Sequence, residues 1–117
     1  MTEPTIFRLR IKGRVQGVGF RDWASDEATA LKLDGWIRNR SDGSVEMLIS
    51  GPDATIKDML GAATQGPALA RVANIDIHNE TEPPPTGFTW AASPPGPASR
   101  RLRADLRRDS RRRPPGR

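Results

Sequence analysis

A chain of 117 residues with no cysteine has room for one modest hydrophobic core, and it excludes disulfides, thiolate metal sites and a cysteine nucleophile. Its net charge of +5 is unevenly placed. Ser93 to Arg117 carries nine Arg against two Asp, a net +7, whereas Met1 to Ala92 carries ten Lys and Arg against twelve Asp and Glu, a net −2; the basic balance belongs to the last segment and says nothing of what the body binds.

The first element is a strand. In Ile6-Phe7-Arg8-Leu9-Arg10-Ile11-Lys12 the apolar Phe7, Leu9 and Ile11 alternate with cations, the period of a half-buried strand. A glycine-punctuated loop, Gly13 to Gly19, runs into a helical pattern from Phe20 to Leu33, where Phe20, Trp23, Ala24, Ala28 and Leu31 make one apolar stripe. Asp34-Gly35 is the expected end of that helix, and Trp36 to Arg40 reads as a second strand. Ser41-Asp42-Gly43 is a hairpin turn, followed by a third strand from Ser44 to Ser50. Gly51-Pro52-Asp53 opens a second helix with Ile56, Met59, Leu60 and Ala63 as its buried stripe, proline being tolerated where the helix has no partner for its N–H. Gly66-Pro67 ends it. A fourth strand from Val72 to about Glu80 is expected to turn Ile75 and Ile77 inward, and after Pro83-Pro84-Pro85 a short last strand is marked by Phe88 and Trp90.

This βαββαβ order predicts an α+β domain over residues 1–92. The expected architecture is a ferredoxin-like two-layer sandwich, with two helices on one face of an antiparallel sheet and Arg8 and Arg10 on the other. Residues 93–117 are a Pro/Arg-rich basic tail with almost no large apolar residue, expected to be disordered. No apolar run is long enough to span a bilayer. Met1-Thr2-Glu3-Pro4 lacks the basic and then apolar regions of a secretory leader. The expected location is the cytoplasm, with no membrane partner.

The segment from Gly13 to Arg21 is the first candidate for chemistry. Its glycines allow a tight turn that aims backbone N–H groups into one concavity, and the helix starting near Phe20 adds free N–H groups and the positive end of its dipole. Structural turns account for most such loops. Arg21, however, sits in a first turn where the dipole favours an acid, and a bound anion would compensate for it; its forked guanidinium can hold two phosphate oxygens. No Gly-Lys-Ser/Thr closes the loop, so it is not a nucleotide-binding Walker loop. Asn39 shares its strand face with Ile37, toward the helices, where it can either satisfy backbone groups at a strand end or serve a ligand.

The stretch Gly13-Arg14-Val15-Gln16-Gly17-Val18-Gly19-Phe20-Arg21 resembles the signature of the acylphosphatase family. Gly35-Trp36-Ile37-Arg38-Asn39 resembles the family's second signature, and Asp42 to Glu46 fits the segment directly after that signature. The resemblance covers about Phe7 to Trp90 and implies the same fold. It also implies hydrolysis of the carboxyl–phosphate bond of acyl phosphates, with inorganic phosphate as a product and no metal or other cofactor. By the resemblance, the loop amides of Val15, Gln16, Gly17, Val18, Gly19 and Phe20 bind the phosphoryl group together with Arg21. Asn39 places the attacking water, and the substrate phosphate assists in taking its proton. The sequence departs from the family at Asp22 and Trp23, where aromatic or aliphatic residues are frequent, and at Arg40, where some members carry Thr.

Two other readings are weaker. An RNA-binding domain of the same order stacks bases on aromatics of its central strands, but Ser44 to Ser50 holds none and Phe7 faces the core. An acylphosphatase-like domain serving carbamoyl transfer is followed by zinc-binding cysteines, absent here, so a standalone, monomeric hydrolase is expected. Only the basic tail could bind nucleic acid, through counterion release, and it reads rather as a solvated appendage without a partner. His78, alongside Asn74 and Asp76, reads as a solvated surface residue, and Trp36 as packed by Arg38 and Arg40. The scattered acids show no metal-ligand spacing, so no metal site is expected.

Overall fold

The computed structural model describes residues 3–92; the tail from Ser93, and its expected disorder, lie outside the described residues. The alternation near the start forms β1, Thr5–Arg14, with Leu9 and Ile11 fully buried. There follow α1, Phe20–Ala30, then β2, Asp34–Asn39, and β3, Val45–Gly51. The chain continues through α2, Asp53–Gln65, β4, Arg71–Asn79, and β5, Phe88–Trp90. The sheet order is β4-β1-β3-β2-β5. This is the expected ferredoxin-like βαββαβ sandwich. No helix of the described residues is long and apolar enough to cross a membrane.

Register assigns the two faces of the sheet. Leu9 pairs with Met47 and Met47 with Ile37, one residue row of the inner face; Ile11, Val45 and Asn39 form the next. Phe20, Ala24 and Ala28 of α1 and Ile56, Met59 and Ala63 of α2 close over these rows, all essentially without exposure. At roughly 25 cal/mol per Å² of apolar surface removed from water, this shared core is what holds the two layers together.

The expected antiparallel arrangement holds across β4-β1-β3-β2, and β5 adds a parallel pairing with β2, Gly35 to Phe88 through Ile37 to Trp90. After β4, at one edge, the chain returns to the opposite edge running antiparallel to β4, which makes it parallel to β2. Two element boundaries and one burial also differ from the sequence reading. The first helix ends at Ala30 instead of Leu33, because Lys32 takes a left-handed conformation, φ 60°. Its N–H donates to Thr29 O and that of Leu33 to Ala28 O, the paired bonds of a Schellman stop. The second strand starts at Asp34, which pairs with Ser50. Ile77 is 48% exposed, not buried: it lies on the outermost strand, where Val72 and Ile75 pack partly against the core and Ile77 does not.

On the open face Glu46 is 2% exposed beneath a roof of arginines. Arg38 Nε and Arg40 Nη1 donate to Glu46 Oε1, both at 2.8 Å, and Arg8 Nη1 lies 3.3 Å from Oε2. Burial alone would raise the Glu46 carboxyl, but the hydrogen bonds and charges of these arginines outweigh it and hold it below its ordinary value of 4.5. Arg38 also stacks on Trp36, 4.7 Å from the ring centroid.

Candidate active site

The loop between β1 and α1 turns on two glycines. Gly17 and Gly19 have φ of 74° and 80°, which a side chain would make costly, and a Cβ at either would meet no atom within 4 Å. Their conformation, not crowding, selects glycine. Gly19 is the N-cap of α1, and no side chain caps it. The first bond of the helix runs from Trp23 N–H to Gly19 O at 3.0 Å, so the amides preceding Trp23 have no partner within the helix and face the loop with the positive end of the dipole.

Three residues of the loop anchor it. Val15 is buried in the core at 1% exposure, and Val18 packs partly against it. The Gln16 amide Nε2 donates to Arg40 O at 2.8 Å and Ser44 O at 2.9 Å, joining the loop to the β2–β3 hairpin that begins directly after Asn39. Gln16 and Val18 therefore shape the loop from behind, and their side chains do not line the cleft.

That cleft, about 130 Å³, is lined by Val15, Gly17, Gly19, Phe20, Arg21, Asp22, Asn39 and Trp90. It brings Arg21 and Asn39 together from α1 and β2. Asn39 Oδ1 is buried and accepts no hydrogen bond from the described residues. Arg21 makes no ion pair among the described residues; its guanidinium carbon lies 4.4 Å from the centre of the Trp90 ring. Arg40, the neighbour of Asn39, points to the opposite face and is engaged by Glu46, as strand alternation requires. Trp23 is partly buried and meets Phe20 edge to face, 5.4 Å between centroids. An anion in this cleft would meet orphan amides, a helix N-terminus and an unpaired guanidinium together.

The acylphosphatase family model matches residues 7–90. The chain belongs to the acylphosphatase family. It is 50% identical over 82 residues to an acylphosphatase of Sinorhizobium medicae, 68% of this chain and 86% of that protein. It is 57% identical over 67 residues to one of Rhizobium meliloti, 57% of this chain and 70% of that one. The crystal structure of acylphosphatase from Bacillus subtilis superposes with a TM-score of 0.71 at 34% identity, over 74% of this chain and 98% of that chain.

In this acylphosphatase-family domain the loop, Arg21 and Asn39 expected from the sequence border one cleft with Trp90, which the sequence reading used only to mark the last strand. Phe88 and Trp90 share a strand face; Phe88 packs on the core, while Trp90 stays 50% exposed at the cleft. A large aromatic following a core aromatic at period two was the available signal. What it touches depended on β5 pairing with β2.

Proposed function

We propose that this domain hydrolyses the carboxyl–phosphate bond of small acyl phosphates without a metal ion, yielding a carboxylate and inorganic phosphate. The amides of the Val15–Phe20 loop and the Arg21 guanidinium hold the phosphoryl oxygens, and Asn39 holds the attacking water. The observation that carries this reading is the buried, unpartnered Asn39 Oδ1 in the same cleft as the uncapped helix start. A buried acceptor left without a donor is costly, and a water that donates to Oδ1 satisfies it while keeping a lone pair for phosphorus.

The chemistry then needs mainly placement and charge stabilisation. The water oxygen forms the new bond to phosphorus as the bond to the carboxylate oxygen breaks, and the water's proton passes to a phosphoryl oxygen. Negative charge shifting among the phosphoryl oxygens is met by fixed N–H donors and Arg21. The departing carboxylate is stable without protonation, so no general acid is required. Hydrolysis of benzoyl phosphate by the full-length chain in excess EDTA tests this reading, with inorganic phosphate added as a competitive inhibitor. Turnover that persists in EDTA is the expected result; no turnover, or turnover only with added divalent metal, contradicts it.

A further inference from the structure

We propose that Trp90 positions Arg21 for the phosphoryl group, holding the guanidinium on its ring face without cancelling its charge. The inference rests on the reading of Arg21 as the phosphate clamp and adds the residue that aims it.

Arg21 is a long side chain in the first turn of a helix, and left to itself it would populate many rotamers. An acidic partner could fix it, but would compete with the incoming anion for the same N–H groups. Asp22 lines the same cleft, yet Arg21 forms no ion pair among the described residues. Its contact is the Trp90 ring at 4.4 Å. An aromatic quadrupole attracts the cation and orients it, with indole the strongest of the natural rings, while the net charge seen by a phosphate stays whole.

Trp90 is itself fixed from two sides. Its N–H donates to Ser25 Oγ at 2.6 Å, and Ser25 stands four residues, one turn, beyond Arg21 on α1. Its backbone is held at β2, where Trp90 pairs with Ile37 and Ala91 N–H donates to Ile37 O at 2.8 Å. Ring and guanidinium are thus referenced to the two elements that carry Arg21 and Asn39. Trp90 is also 50% exposed, so filling the core does not account for it.

The test uses the full-length chain with Trp90→Leu, Trp90→Phe, Ser25→Ala and the Ser25→Ala/Trp90→Phe double variant, beside Arg21→Ala. Inorganic phosphate is the main probe because it has no acyl group, and acetyl and benzoyl phosphate are the substrates. Trp90→Leu keeps apolar bulk and loses the π face; the expected result is phosphate inhibition weakened by about five- to twentyfold and a matching fall in kcat/KM for both substrates, at an unchanged Tm. Trp90→Phe restores most of the loss. Ser25→Ala weakens phosphate binding in the parent and has no further effect in the Trp90→Phe background, where no N–H remains to anchor. Equal behaviour of the Leu and Phe variants overturns the proposal. So does a loss seen with benzoyl but not with acetyl phosphate or inorganic phosphate, which would make Trp90 an acyl contact. If Arg21→Ala weakens phosphate and Trp90→Leu does not, the positioning role fails and the clamp stands; if neither does, the clamp itself fails.

Discussion

Asn39 stands in the inner row with Ile11 and Val45, where a polar side chain is either saturated by its neighbours or kept for something else. Its Oδ1 is buried without a partner among the described residues, which supports the proposed use, holding a water, over the saturation of backbone groups. Asn39→Ala is therefore expected to lower kcat by about a hundredfold, the scale for losing one group that serves the transition state, while inorganic phosphate inhibits nearly as well as before. A thermal melt accompanies the assay: retained kcat with a lowered Tm would make Asn39 a structural residue. Arg21 was legible for a related reason, since a cation in the first turn works against the helix dipole. Trp90 was not, because its contact with Arg21 spans most of the domain and exists only once β5 lies beside β2.

Among the elements, α1 shows where sequence patterns mislead. Asp34-Gly35 carries the residue that most often ends a helix, yet the chain stops earlier, at a lysine in the left-handed region. The stop is enforced by tertiary packing: Leu33, immediately after, is 2% exposed in the core, and its N–H completes the Schellman pair with Ala28 O. Lysine bears a steric cost in that conformation that glycine does not. Lys32→Gly is thus expected to stabilise the fold by roughly 0.5–1 kcal/mol, a rise of several degrees in Tm for a domain of this size. A lower Tm would show that Lys32 makes a contact worth more than the relief. The strands were more legible than the helix ends, because a period of two fixes both face and register. The exposed Ile77 and the parallel β5 escaped, since both depend on which strand lies at which edge of the sheet.

At the scale of the whole molecule, charge is sorted by place. The arginine roof over Glu46 couples β1, β2 and β3 on the open face, and it makes stability depend on acid. The Glu46 carboxyl lies below its ordinary value of 4.5 when folded, so its contribution is complete above that pH and is lost as pH falls through the folded value. Asp42, held below 3.8 by hydrogen bonds from the Ser44 hydroxyl and N–H, acts in the same direction. Glu46→Gln should cost roughly 1–2 kcal/mol at neutral pH, because the arginines that lose a buried counter-charge are themselves partly solvated. Its Tm should fall less steeply than the parent's between pH 4.5 and stronger acid; parallel curves would remove Glu46 from the acid response. The segment from Ser93 carries a net +7, and the described residues that line the cleft all lie between Val15 and Trp90. Cutting after Ala92 should change kcat/KM for a small acyl phosphate by less than about threefold, and salt should erase the difference. An inactive but folded truncation would tie the tail to catalysis. The most direct test of the phosphate site is the inhibition constant of inorganic phosphate, measured on folded wild type and Arg21→Ala with benzoyl phosphate as substrate. A clamp predicts that the constant rises, and kcat/KM falls, by about a hundredfold in the variant; an unchanged constant and an unchanged kcat/KM would contradict it.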